Sequence, residues 1–365
     1  MLSLRALNPP SFFRGARRSF REPRHSLASL SILEERMVSS DRRIADSGPI
    51  FVASDLSPAS DEAIVQAHER ARAEKKRLIV CFVIRGSMRY DPVLPDVRME
   101  FDDGLPVSRN RAFLIVSARV ARCTGRRPGE YAIVIERGLP HEHIVRAARM
   151  RGASLIVLGA RSNGFARHPF AGTVTERVVR HAQCPVLVAR AGIATRSILV
   201  ATDFSDPSMP ALEAAVKEAR RRDARLTILH SLDVEIAMVT ARPLGDASLG
   251  MPLEEFLDIK DAAQSRMQAL LDRAGLDGSV IVSEGPPAER ILAIARDVDA
   301  DTIFIGTRGR SGLARVVLGS VAEDVVRSAR CSVFVVRLHV ESARERLLPV
   351  SAAMAEAARA NQMRA

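Results

Sequence analysis

Near the carboxyl end of this 365-residue chain, Thr302-Ile303-Phe304-Ile305-Gly306 leads into Thr307-Arg308-Gly309-Arg310-Ser311-Gly312, and Leu318-Gly319-Ser320-Val321 follows. An apolar β-type run ends in glycine, a basic glycine-rich loop comes next, and a Gly-Ser pair then opens an apolar helical pattern. Such a sequence can build an anion pocket from backbone. Gly306 and Gly309 lack the Cβ that would hold the main chain away from a ligand or disfavour a positive φ. Gly319-Ser320 sets free amides and a hydroxyl at a helix start, where the dipole favours phosphate. The spacing is G-x2-G-x9-G-S. It has neither the order nor the lysine of a Walker loop, which excludes that class.

Other chemistry-bearing residues carry weaker patterns. His141 and His143 stand two apart at a helix start, so they point different ways and read as exposed cap residues. His230, at a strand end, reads as a buried, hydrogen-bonded core histidine. No Ser/His/Asp or Cys/His constellation and no paired carboxylates point to hydrolysis. Cys81, Cys123, Cys184 and Cys331 show no metal-ligand spacing and read as reduced thiols.

The elements that position the glycine loop belong to a repeat. Ile50-Phe51-Val52-Ala53-Ser54-Asp55-Leu56-Ser57 recurs as Ile198-Leu199-Val200-Ala201-Thr202-Asp203-Phe204-Ser205. Ala153 to Gly159 recurs as Ala300 to Gly306, and Gly172 to Arg180 as Gly319 to Arg327. Cys184-Pro185-Val186-Leu187-Val188 recurs as Cys331-Ser332-Val333-Phe334-Val335. All offsets are 147 to 149 residues, so a domain of about 145 residues is duplicated.

In the second copy, strands are expected at 197–201, 226–229, 279–282, 302–306 and 333–336. Helices are expected after Ser205 or Asp206 (as cap, with Pro207 in the first turn) and over 253–274, 288–296 and 320–328. Apolar strands alternating with helices mean an α/β fold: a parallel sheet covered on both faces, with ligands beyond the strands' carboxyl ends. Asp203 and Gly306 stand at two such ends.

Composition bounds the partners. The 47% hydrophobic and 27% charged fractions suit a soluble globular chain, and no apolar run is long enough to span a membrane. Net charge is +11, but only four of the 54 basic residues are lysines, and the arginines are dispersed among acids along the chain. That pattern is a solvated surface rather than a nucleic-acid or membrane interface. Residues 1–47, with nine arginines against five acids and no sustained periodicity, are expected to be a disordered basic arm or residues upstream of a true start at Met37, in preference to an import signal. The expected domains are 48–192 and 195–338, and 339–365 is expected to be a helical or disordered tail.

The run Ala201-Thr202-Asp203-Phe204-Ser205, the loop through Gly306, Gly309, Gly319 and Ser320, and the closing Cys331-to-Arg337 strand together resemble the universal stress protein family. The ATP-binding branch is the nearest match, in a tandem-domain form. The resemblance implies two Rossmann-like domains of the adenine nucleotide alpha hydrolase type, each a five-stranded parallel sheet in order 3-2-1-4-5. It implies ATP (or AMP) with Mg2+ in the second domain. There Asp203 would face the ribose or base, and Gly306 would pass close to the ribose. Gly309, Gly319, Ser320 and the Val321 amide would hold phosphates. Ala201 and Ile305 would line the adenine pocket, with Thr202 and Ser231 at its edge.

Ser231 stands where the family usually has an apolar residue, and Ala322 where it often has Ser or Thr. The first copy keeps Asp55, Gly159, Gly172 and Thr173, but Ser162 replaces the loop glycine, so a degenerate scaffold or regulatory partner is expected there. The apolar closing strands are expected to pair, with each other as a pseudo-dimer or with a second chain as a homodimer. A cytoplasmic regulatory protein follows from this reading. Two alternatives stay open: a slow ATPase or self-phosphorylating protein with Asp203 on the metal, and a nucleotide-free interaction protein.

Overall fold

The computed structural model describes residues 48–84, 108–160, 174–192, 195–205, 207–232, 253–307 and 318–337, and the short strands Ser87–Tyr90 and Arg98–Phe101. The expectations for 1–47, 339–365, Ser162, Gly172, Thr173 and Gly309 fall outside the described residues.

In the first repeat the order is β1 (Ile50–Ser54), α1 (Pro58–Ala73), β2 (Leu78–Ile84), a hairpin of β3 (Ser87–Tyr90) and β4 (Arg98–Phe101), α2 (Arg109–Thr124), β5 (Ala132–Arg137), α3 (Pro140–Met150), β6 (Leu155–Gly159), α4 (Val174–His181) and β7 (Val186–Ala189). The second repeat runs β8 (Ser197–Ala201), α5 (Met209–Arg222), β9 (Arg225–Leu232), α6 (Leu253–Ala274), β10 (Gly278–Glu284), α7 (Pro287–Asp297), β11 (Thr302–Gly306), α8 (Ser320–Ser328) and β12 (Ser332–Val336).

Both repeats have the order 3-2-1-4-5, as β5-β2-β1-β6-β7 and β10-β9-β8-β11-β12. Strand order therefore reverses between β1 and β6 and between β8 and β11. The five main-sheet strands of each repeat are parallel, whereas β3 and β4 form a separate antiparallel pair, and β7 and β12 pair antiparallel with Phe334 opposite Leu187, giving one ten-stranded sheet.

Alternate strand residues go to opposite faces, and two cores result. Ile50 and Val52 join α1, α2, α5 and α6 on one face, while Phe51 and Ala53 join α3, α4, α7 and α8 on the other. Each core runs through both repeats. Among the described residues, no helix is long and apolar enough to cross a membrane.

The junction is built twice over, in mirrored form. Arg190, just after β7, donates to the carbonyl of Val326 in the last turn of α8 and to that of Cys331 just before β12. Its repeat equivalent Arg337, just after β12, donates to the carbonyls of Val179 and Arg180 at the end of α4. Arg180 pairs with Glu323 at 3.1 Å and Arg327 with Glu176 at 3.5 Å, again exchanging partners across the junction. Cations are favoured at helix carboxyl ends, so each repeat closes a helix of the other.

One expectation needs correction and another narrows to one of its two forms. Helix α5 starts at Met209, not after Ser205 or Asp206. The Ser208 amide donates to Ser205 O (2.9 Å) and the Ser208 hydroxyl to the same carbonyl (2.9 Å), so this stretch forms a separate turn serving the strand end. Gly306 ends β11 as an extended strand residue and is not among the positive-φ glycines, so no left-handed conformation explains it.

Candidate functional site

The turns after β1 and β8 are the same construction. Thr202, buried at the end of β8, accepts from the Phe204 amide (3.0 Å) and meets the Ser208 hydroxyl at 3.0 Å. Asp203 accepts from the Ser205 amide (3.0 Å) and hydroxyl (2.5 Å). This folds the chain so sharply that Phe204 has φ +58°, an uncommon conformation for a bulky residue. In the first repeat Ser54, Ser60, Asp55, Ser57 and Leu56 (φ +66°) repeat the hydroxyl pair and both amide contacts. Burial pushes the Asp55 carboxyl up, but hydrogen bonds from Ser57 and Ser60 outweigh it and hold the pKa below the ordinary value. Asp203 thus has a structural task as well as its place at a strand end.

Beside this turn is a helix start. Gly319 is the N-cap of α8 with φ −66° and ψ 149°, and no side chain caps the helix. The Gly319 amide is held by Thr307 O (2.9 Å), and the Thr307 amide by Val336 O (3.0 Å), which ties both ends of the glycine loop to the edge of β11. The first-turn amides of Ser320 and Val321 have no acceptor among the described residues. Ser320 is exposed and Val321 half-buried. Donors and a positive dipole end therefore stand beyond the carboxyl end of β11, next to the end of β8.

The remaining expected residues fall into place around that gap. Ala201 ends β8, Ile305 and Gly306 end β11, and Ser231 lies near the end of β9. The Ser231 hydroxyl donates to Gly285 O (2.8 Å), so the polar group at this position is engaged with the β10–α7 turn. His230 is buried, with Nδ1 2.8 Å from Thr202 O, and its ring packs on Phe204 at 4.8 Å between centroids. The Arg266 guanidinium of α6 covers the other approach to Phe204 at 4.7 Å. Phe204, Arg266 and Thr307 are contributors that sequence reasoning did not single out. For Thr307 a signal existed, since its repeat partner Ala160 makes the same bond to Ala189 O (2.9 Å).

The first repeat has a different balance. A Cβ on Gly159 would lie 2.4 Å from Ala59 O, so close packing of α1 on β6 by itself requires glycine there. The Thr175 hydroxyl of α4 donates to Gly159 O (3.3 Å), across the strand end. Its counterpart in the second repeat is Ala322, which has no hydroxyl to offer.

Two doubly wound parallel domains, joined edge to edge and each built on a hydroxyl–carboxylate turn at its switch point, define the class of protein. The universal stress protein family profile matches residues 47–190 and 194–337, and the chain belongs to that family. Universal stress protein YxiE of Bacillus subtilis is 34% identical over 148 residues, covering 38% of this chain and 97% of that protein. Universal stress protein MJ0531 of Methanocaldococcus jannaschii is 32% identical over 142 residues, covering 39% of this chain and 82% of that one. The crystal structure of a universal stress protein from Archaeoglobus fulgidus is 21% identical, covers 80% of this chain and 97% of its own, and superposes with a TM-score of 0.53. That last likeness concerns the fold.

Proposed function

We propose that the second repeat binds an adenine nucleotide, ATP or AMP, with its phosphates on the amino end of α8 and its nucleoside toward the ends of β8 and β11. The observation that carries this reading is the first turn of α8, which has no side-chain cap and whose Ser320 and Val321 amides lack acceptors among the described residues. The Gly319 amide is engaged by Thr307 O, so Gly319 serves by baring the helix start, and the Ser320 hydroxyl and, from the loop, Gly309 complete the phosphate side. Asp203 accepts from ribose hydroxyls or the base edge, Ala201 and Ile305 line the base, and Thr202 and Ser231 bound it. Among the described residues no group of three or more His, Cys, Asp or Glu could hold a metal. Mg2+ therefore arrives on the phosphates, as it commonly does with nucleotides. The chain acts as a cytoplasmic stress-response regulator, and the first repeat serves as its scaffold in an intramolecular pseudo-dimer.

Ser320→Pro tests this with little structural cost. Proline is favoured at the first helical position, and the extended Gly319 (ψ 149°) suits a following proline. The change deletes one amide and one hydroxyl donor. In calorimetric titration with Mg-ATP, affinity should fall at least about tenfold, the equivalent of one hydrogen bond to a charged group. Unchanged affinity in a folded variant would place the nucleotide elsewhere.

A further inference from the structure

A cavity of about 1110 Å3 opens at the junction of the repeats, lined by α1, α5, the ends of α7 and α8, and the linker between β7 and β8. Its floor is Leu187 and Phe334, facing each other across the β7–β12 pair. Thr302 and Ser332 begin β11 and β12, so the cavity lies at the opposite end of the second repeat's sheet from Asp203 and Gly319. Junctions between domains are common places for small-molecule pockets.

The charges on its walls divide into two sets. On the α1–α5 side acids slightly outnumber bases: Glu218 is held by Arg70 (3.3 Å) and Arg221 (2.6 Å), and Glu69 lies close enough to Arg221 to raise its pKa. Glu62 is hydrogen-bonded to Gln66 on the same helix. The wall at the strand entries is different. Asp301 takes Arg222 through both carboxylate oxygens (2.8 and 2.6 Å). That leaves Arg190, Arg196, Arg296 and Arg330 against Asp299, and none of these four arginines has a carboxylate within ion-pair distance among the described residues. Arg190 holds only neutral carbonyls, and burial pushes its pKa down. Arg196 and Arg330 are exposed and line the opening.

Arg196 directly precedes β8 and Arg330 stands just before β12, with β11 between the two strands. Two strand spacings, about 9.5 Å, separate these entries. Two guanidiniums turned over such a gap could close around a group of diphosphate size, and their planar forks match phosphate oxygens. We infer that this junction cavity is a second ligand site, taking a small molecule with a phosphate or diphosphate group between Arg196 and Arg330. A ligand there would touch both repeats and the linker that joins them.

Pyrophosphate is the probe, titrated calorimetrically into the full chain carrying Ser320→Pro, so that the α8 end does not compete. Saturable binding should appear, with affinity at least tenfold weaker after R196A/R330A and unchanged after Arg109→Ala, an exposed arginine on α2 that does not line the cavity. Unfolding midpoints without pyrophosphate should match across the variants, since neither guanidinium pairs with a side chain among the described residues and the Arg196 amide, which donates to the Asp301 carboxylate (2.9 Å), is kept. No binding would overturn the inference. So would an equal loss in all arginine variants, which is diffuse charge attraction, or full retention in R196A/R330A. None of these results bears on nucleotide binding at α8, which the Mg-ATP titration reads separately.

Discussion

Alanine at Arg337 and Arg190 should expose how firmly the two repeats are locked. Arg337 makes two charge-assisted hydrogen bonds to the last-turn carbonyls of α4, while Arg190 makes one to the last-turn Val326 carbonyl of α8 and one to the Cys331 carbonyl just before β12. A hydrogen bond to a charged group contributes about 1.5–3 kcal/mol, and a cation at a helix carboxyl end about 0.3–1. Both arginines are half-buried, so water re-solvates part of what each truncation bares. Each single change should then cost roughly 2–3 kcal/mol, below the sum of the separate contributions. The two arginines follow β7 and β12, which run antiparallel, so they sit at opposite ends of the junction. Their effects should add, to about 4–6 kcal/mol in the double variant. Urea unfolding with linear extrapolation reads this, with Arg109→Ala as an exposed control. Wild type should unfold in one transition, because both cores run through both repeats. A double variant within about 1 kcal/mol of wild type, or two separate wild-type transitions, would refute the idea that the reciprocal caps and shared cores unite the repeats.

Other expectations follow from single contacts. Burial pushes the Glu218 carboxyl up, but Arg221, Arg70 and Arg222 outweigh it and hold the pKa below the ordinary 4.5. Its stabilising contribution is therefore present above the unfolded-state pKa and lost as pH falls through the lower folded value. Glu218→Gln should cost about 2–4 kcal/mol at pH 7 and much less near pH 3, as read by unfolding at both values; a pH-independent cost contradicts this. Gly159→Ala places a methyl 2.4 Å from Ala59 O, which is backbone, so the variant should lose roughly 1–3 kcal/mol in thermal or urea unfolding. A neutral result would mean that α1 shifts freely on β6.

Much of this architecture was legible because duplication doubles every signal. The strand 302–306 and the helices 253–274 and 320–328 coincide with β11, α6 and α8, since apolar periodicity there agrees with glycine and Gly-Ser punctuation. The start of α5 was misread because Ser205 and Pro207 look like a cap and first turn, while tertiary contacts of Ser208 with Thr202 hold that segment as a turn. The β3–β4 hairpin escaped notice because its strands are four residues each and carry arginines. Arg190 and Arg337 were hidden among 50 arginines. Their equivalence in the repeat, together with the crossed pairs of Glu176, Arg180, Glu323 and Arg327, was nonetheless there to be read. In the site, Asp203, Gly306, Gly319 and Ser320 were legible as residue types at strand and helix ends. The packing of His230 and Arg266 against Phe204 was not, because it goes with the positive φ of Phe204.

The proposal that the second repeat holds an adenine nucleotide meets its most direct trial in what the purified chain carries. Heat-denatured protein should release about one adenine nucleotide per chain on chromatography, and stripped protein should gain thermal stability when Mg-ATP is added. No released nucleotide, together with no shift in melting temperature at millimolar Mg-ATP, would contradict the account.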